Sequence, residues 1–213
     1  MGVINSKTNQ QIYLRQHGVG MIEVLVTLFI LSIGILGVAS LQFISSFSNS
    51  DALNRSQSVM VAQQLSERLR ASARMSLIGD GLVVDENYFD SDVYNFNNLS
   101  CASTASDYNC FCLTKPAAIP DCAGGQCSAA QFAVYDGYEA SCSAVSSNPS
   151  VTLAVSCQDN NALDGEACST GSRVSILLSW PVENWKNIDR TLNDECESED
   201  DEARDCVKLD VLL

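Results

Sequence analysis

The chain is almost without histidine. Its single histidine, His17, precedes a long apolar segment, and no histidine follows it. If residues 1–18 are removed, the remaining chain lacks the base of a Ser-His-Asp or Cys-His site and the imidazole ligands of a zinc enzyme. No spacing of carboxylates or lysines indicates another catalytic site. We therefore expect no enzyme, no cofactor and no metal site.

Positive charge is also scarce, with 12 Lys and Arg residues against 26 Asp and Glu residues. Residues 1–18 hold two of the basic residues and none of the acidic ones, so the rest of the chain has a side-chain balance of −16. Such a surface repels DNA and anionic lipid headgroups. The only basic group, Arg68, Arg70 and Arg74, is interpreted as a solvated helix face, and no nucleic-acid partner is expected.

Charge is absent from Val24 to Leu41, which are eighteen residues. At about 1.5 Å per residue, a helix of this length nearly crosses a hydrocarbon core of about 30 Å. A secretory signal is cut after its apolar segment, whereas the plausible cut here, after Gly18, comes before it. The apolar helix would then stay in the mature protein. Because residues 1–18 contain Lys7 and Arg15 and no acid, the leader is expected to be cytoplasmic.

Residues 18–23 (GVGMIE) and the apolar run resemble the prepilin signal of type IV pilins and pseudopilins, over roughly residues 15–45. The resemblance implies cleavage by a prepilin peptidase between Gly18 and Val19 and N-methylation of Val19. It also implies that Glu23, the fifth mature residue, meets the amino group of a neighbouring subunit during assembly. Many family members have phenylalanine at the position of Val19 and threonine at that of Gly20. The alternative is an ordinary single-span protein with an acid at the interface.

Cysteine is absent from the first 100 residues, and an even number follows. Ten cysteines confined beyond the span predict disulfides in an oxidising compartment. Zinc thiolates are the weaker alternative, since the spacings within this set poorly match paired Cys-x2-Cys. Connectivity cannot be deduced from sequence, although a Cys196–Cys206 bridge would resemble the C-terminal loop of many pilins. The ten are Cys101, Cys110, Cys112, Cys122, Cys127, Cys142, Cys157, Cys168, Cys196 and Cys206.

The first proline is Pro116, so residues 19–75 are predicted to form one long helix. Its first part is apolar all round, whereas Ala62, Leu65, Leu69 and Ala73 recur at helical spacing and predict a face packed on a sheet. The predicted organisation has four parts. These are a leader (1–18), an apolar anchor (19–45), an amphipathic half-helix (46–75) and a Cys-rich periplasmic domain (76–213).

Within the domain, residues 76–127 are interpreted as a loop-rich region held by disulfides. Residues 128–142 favour a helix over a hairpin around Asp136-Gly137, with Phe132, Tyr135 and Cys142 on one side. Segments 151–157, 174–180 and 207–213 alternate strictly and predict antiparallel strands. The predicted fold class is α+β: one long N-terminal helix on a small antiparallel sheet, which is also the fold that the pilin resemblance implies.

Two acidic segments, 159–165 (DNNALDG) and 194–205 (DECESEDDEARD), supply clustered oxygens that calcium prefers. Neither matches an EF-hand, and we favour a solvated acidic surface.

The resemblance favours a minor pilin, which implies a complex with other minor pilins and the major pilin at the inner membrane. The protein would be single-pass with a periplasmic domain, and the cell-surface pilus would be a further location. The rivals are a minor pseudopilin of type II secretion, a major pilin, and a membrane-tethered periplasmic enzyme or binding module.

Overall fold

The computed structural model describes residues 20–101, 105–181, 196 and 204–213, and the chain divides into two compact units between Asn49 and Ser50. The helices are α1 (Met21–Ser72) and α2 (Ala129–Ser147). The strands are β1 (Arg74–Met75), β2 (Leu82–Val83), β3 (Thr152–Gln158), β4 (Arg173–Pro181) and β5 (Arg204–Leu212). Two 3₁₀ turns (Glu86–Phe89 and Ser91–Val93) and a π-helical turn (Tyr108–Cys112) lie between β2 and α2. The predicted α+β class is confirmed.

Helix α1 changes character along its 52 residues. All residues from Gly20 to Ser50 are exposed, whereas the buried residues lie further along, among them Val61, Ala62, Leu65 and Leu69. These side chains join the core that the sheet provides. The predicted stripe is therefore confirmed.

The prediction that α1 continues to residue 75 is wrong. The helix ends at Ser72, because Arg74 and Met75 pair with Val83 and Leu82 as an antiparallel hairpin. The hairpin is closed by two glycines with positive φ, Gly79 at 76° and Gly81 at 158°, a conformation that other residues seldom adopt.

The main sheet has the order β3-β4-β5 and is antiparallel throughout, as predicted. Leu153 lies opposite Leu178, and Ile176 lies opposite Leu209, so one face collects the apolar residues. Strand β4 is central and buries its alternate residues, ending with Trp180. The three predicted strands are confirmed with small shifts at their ends; β5 begins earlier, at Arg204.

Helix α2 begins with a capping box, in which Ser128 Oγ accepts from Gln131 N–H and the Gln131 side chain accepts from Ser128 N–H. The preferred helix is thus correct. The three residues predicted to share one side of this helix are half-buried, and the fully buried residues include Asp136, Gly137 and Ala140. A Cβ on Gly137 would lie 2.3 Å from Val93 Cγ1. The glycine that suggests a turn instead permits close packing.

Candidate assembly segment and the domain that follows it

Glu23 lies in the first turn of α1 and is exposed. Its backbone N–H donates to the carbonyl oxygen of Gly20 at 2.9 Å. A carboxylate at this end of a helix interacts favourably with the helix dipole. Gly18 and Val19, the predicted cleavage residues, lie outside the described residues.

The uncharged run of α1, Val24 to Leu41, satisfies its hydroxyl groups within the helix. Thr27, Ser32 and Ser40 each donate their hydroxyl to a carbonyl oxygen one turn earlier, at 2.9, 2.7 and 3.0 Å. These three hydroxyls therefore need no water to hydrogen-bond. An apolar environment requires this, because it offers no water. Among the described residues, one helix, α1, is long and apolar enough to cross a membrane, with a mean hydropathy of 2.6 in its most apolar window. This segment is consistent with membrane anchoring.

Each cysteine is in a disulfide, and no described cysteine is free. Cys112–Cys142 ties the π-helical turn to α2, and Cys157–Cys168 ties the end of β3 to the loop before β4. Cys101–Cys110 and Cys122–Cys127 close short loops within the region before α2. Cys196–Cys206 links the acidic segment to β5. The predicted disulfide-rich domain is confirmed.

The acidic segment 194–205 is described only at Cys196, Arg204 and Asp205. Asp205 is buried, and both of its carboxylate oxygens accept from Arg55 Nη2, at 2.9 and 2.7 Å. Its Oδ1 also accepts from the N–H of Cys206 at 2.9 Å. The interpretation of this segment as solvated surface is therefore wrong for Asp205. The reason is that Arg55, 150 positions earlier on α1, provides a partner that no local pattern indicates.

A second buried carboxylate joins α1, α2 and the first 3₁₀ turn. Asp136 Oδ1 accepts from Arg68 Nη1 at 2.6 Å, and Oδ2 accepts from the Tyr88 hydroxyl at 2.6 Å. Tyr94 in turn donates its hydroxyl to the Tyr88 carbonyl oxygen at 2.7 Å. Burial, and next the hydrogen bond to Asp136, raises the pKa of Tyr88 above its ordinary value. Each of these side chains has an ion-pair or hydrogen-bond partner within the cluster. The cluster therefore links the three elements structurally.

The three arginines of the only basic group do not form a common face. Arg68 pairs with Asp136, and Arg70 pairs with Glu67 at 3.3 Å. Arg74 lies on β1, beyond the helix, and pairs with Asp85 at 3.5 Å. The interpretation as a solvated helix face is wrong for Arg68 and Arg74.

In the segment 159–165, the carboxylate of Asp159 accepts hydrogen bonds that stabilise the loop after β3. Asp159 Oδ1 accepts from the N–H of Ser169 at 3.0 Å, from the Ser172 hydroxyl at 3.1 Å and from the N–H of Asn161 at 3.3 Å. Hydrogen bonds, first from Ser169, lower the pKa of Asp159 to about 2. A carboxylate engaged in this way organises a turn, and within the described part of the chain no three His, Cys, Asp or Glu side chains cluster as metal ligands.

Comparison with known families gives one match. Residues 13–39 match the model of the prokaryotic N-terminal methylation motif. The match includes Gly18, Val19, Glu23 and most of the uncharged run, and it supports a type IV pilin-like prepilin signal. The motif indicates the class of type IV pilins and pseudopilins and implies processing by a prepilin peptidase and pilus-type assembly. Searches of curated proteins and of solved structures found no match to the chain.

Proposed function

We propose that this chain is a minor pilin of a type IV pilus system, similar to PilV, the type IV pilus modification protein. It joins other minor pilins and the major pilin in an inner-membrane complex that primes fibre growth, and the fibre tip is a further location that we propose for it. The domain lies in the periplasm. The protein acts by assembly and has no catalytic activity.

One observation carries this proposal. The methylation motif at residues 13–39 leads into a helix whose apolar side chains are exposed from Met21 onward. An uncovered apolar helix needs lipid or other helices around it. In pilus-type assembly the helix lies first in the membrane lipid and then among the helices of neighbouring subunits. The choice of PilV within the class rests on the apolar block, the chain length and Trp180 at the end of the central strand.

The methylation motif fits a minor pseudopilin of type II secretion equally well, so this is the second candidate. Deleting the gene distinguishes the two. A minor pilin predicts lost piliation with normal secretion, and the protein in sheared fibres. A pseudopilin predicts lost secretion with normal pili. Turnover of a small substrate by the purified protein would instead support a periplasmic enzyme.

A substitution at Glu23 tests assembly more specifically than deletion of the gene does. An unpaired carboxylate among apolar helices costs several kcal/mol, and the amino group of a neighbouring subunit is the partner that we propose. Glu23→Ala is expected to leave processing intact and to reduce recovery with other minor pilins. Glu67→Ala, which removes an exposed acid on the same helix that pairs with Arg70, is the matched control and should be recovered normally. Normal recovery and piliation with Glu23→Ala would contradict this role.

A further inference from the structure

One disulfide differs from the other four in the order of its cysteines along the chain. Cys112 and Cys142 are 30 positions apart, and both Cys122 and Cys127 lie between them. Each of the other bridges joins two successive cysteines. These bridges are Cys101–Cys110, Cys122–Cys127, Cys157–Cys168 and Cys196–Cys206. A process that pairs cysteines in the order in which they appear would therefore give every native bridge except those of Cys112, Cys122, Cys127 and Cys142.

The two sulfur atoms of the Cys112–Cys142 bridge are brought together by tertiary packing. Cys112 ends the π-helical turn, and Cys142 lies on α2. Both are partly buried against a cluster that contains Phe111 and Tyr138. The Tyr138 hydroxyl donates to the Phe111 carbonyl oxygen at 2.9 Å, which fixes the turn against the helix. Before these segments pack, nothing in this arrangement favours the native partner of Cys112.

In the unfolded chain, Cys112 has a nearer partner. Cys122 follows it by ten positions, whereas Cys142 follows it by 30. Loop-closure entropy favours the shorter of these loops about fivefold. Cys122 also emerges first, because a chain that is anchored near its N-terminus is exported in sequence order. An oxidant that acts during export therefore forms Cys112–Cys122, which leaves Cys127 to pair with Cys142.

We propose that this protein is a substrate of a periplasmic dithiol isomerase, which converts two non-native bridges into two native ones. The non-native bridges are Cys112–Cys122 and Cys127–Cys142. This inference rests on the periplasmic location in the proposed function, and it adds a partner that acts on the chain before assembly. The bridges outside this group of four cysteines require an oxidant and no isomerase.

The exchange is balanced in atoms and electrons. The isomerase thiolate attacks the Cys122 sulfur, forms a mixed disulfide and releases the Cys112 thiolate. That thiolate attacks the Cys142 sulfur, which forms Cys112–Cys142 and releases the Cys127 thiolate. The Cys127 thiolate then attacks the Cys122 sulfur of the mixed disulfide, which forms the second native bridge and releases the isomerase. Each step breaks one S–S bond and forms another, so the isomerase ends reduced, as it began.

The test compares the full chain in cells with and without the isomerase, both with the periplasmic oxidase intact. Newly synthesised chains are alkylated, and their disulfide-linked peptides are mapped by mass spectrometry without reduction. In cells without the isomerase, the Cys112–Cys122 peptide should exceed the Cys112–Cys142 peptide about fivefold, the ratio that loop closure sets. In cells with it, the native peptide should predominate. The Cys157–Cys168 peptide should be equal in both, and an unchanged peptide ratio would overturn the inference.

Removing the competing cysteines should remove the need for the isomerase. In Cys122→Ser/Cys127→Ser, Cys112 has no nearer partner on its C-terminal side before Cys142. The native Cys112–Cys142 peptide should therefore form to the same extent with and without the isomerase. A continued dependence on the isomerase in this variant would contradict competition by Cys122 as the cause.

The matched control removes a short bridge elsewhere in the domain. Cys157→Ser/Cys168→Ser also deletes one native disulfide, whose cysteines are 11 positions apart, but it keeps the competing pair. Dependence on the isomerase should persist in this variant. If the dependence disappears here as well, it reflects the stability of the domain as a whole, and the inference is overturned.

The outcomes also separate this inference from the proposed function. An unchanged peptide ratio in a protein that is still recovered with sheared fibres overturns the role of the isomerase and leaves the proposed function standing. If correctly bridged protein is absent both from fibres and from complexes with other prepilin-class proteins, the proposed function falls. A chain whose cysteines are all reduced in these cells would overturn both, because the domain would then not lie in the periplasm.

Discussion

The two parts of α1, before and after Asn49, are both helical but differ in how far their side chains are buried. Every described residue of the first part is exposed, whereas the second part contributes six buried residues. Neither part contains proline. The difference lies in the side-chain pattern, because the first part is apolar on all sides and the second is apolar on one. The helix is thus continuous in backbone, and only its second part belongs to the core of the domain.

The largest expected effect follows from separating these two parts. A chain that begins at Ser50 should be soluble and folded, because every buried residue of α1 lies from Ser58 onward. Fractionation and circular dichroism measure this, with the detergent-solubilised full chain as the control. We expect the melting temperatures of the two proteins to agree. Aggregation or loss of cooperative melting in the shorter chain would show that the first part is needed for folding.

The disulfides stabilise the domain and not the first part of α1, since all ten cysteines lie in the domain. Loss of a native bridge from a small domain costs about 2–5 kcal/mol. A strain that cannot form periplasmic disulfides should therefore accumulate little of the protein, as quantitative immunoblotting would measure. Normal levels there would contradict the prediction.

Two of the disulfides allow the stability lost with a long and with a short closed loop to be compared. Cys112 and Cys142 are separated by 30 positions, and Cys122 and Cys127 by only 5. A longer closed loop restricts the unfolded chain more, so Cys112→Ser/Cys142→Ser should cost about 1–2 kcal/mol more than Cys122→Ser/Cys127→Ser. Urea unfolding of the two variants measures the difference. The opposite order would mean that the shorter bridge is the more important for the native state.

Removing an arginine from the second part of α1 should lower the free energy of unfolding by less than losing a disulfide does. Arg68→Met leaves buried Asp136 without its cation, and we expect a loss of about 1–3 kcal/mol, since the Arg68 side chain is 30% exposed. Arg70→Met breaks the exposed pair with Glu67 and should cost about 0.5 kcal/mol or less. Equal losses in urea unfolding would contradict a special role for Arg68.

The smallest effect concerns pH. The pKa of Tyr88 is raised above its ordinary value of 10.0, mainly by burial. Because the folded state holds this proton more tightly, the stabilisation is complete below pH 10 and is lost as the pH rises through the folded-state pKa. Tyr88→Phe should be less stable at neutral pH but lose less stability above pH 10. Parallel pH curves for the two proteins would contradict this assignment.

Local patterns were enough to predict the strands and the stripe on α1, because each is a regular alternation of apolar and polar residues. The partners of Asp136 and Asp205 were not predictable, since Arg68 and Arg55 lie far away in the chain. Gly137 was ambiguous because close packing and a turn both favour glycine. The signal at Gly18 and Glu23 was recognisable because it is read as a linear segment and needs no fold.

The mature N-terminus decides whether the chain is processed as a prepilin. We expect the leader to be removed and the apolar part of α1 to be retained. Intact-mass analysis and N-terminal peptide sequencing of membrane-extracted protein should find a chain that begins at Val19 and carries one N-methyl group. A chain that keeps Met1, or one cut after the apolar run, would contradict the claim.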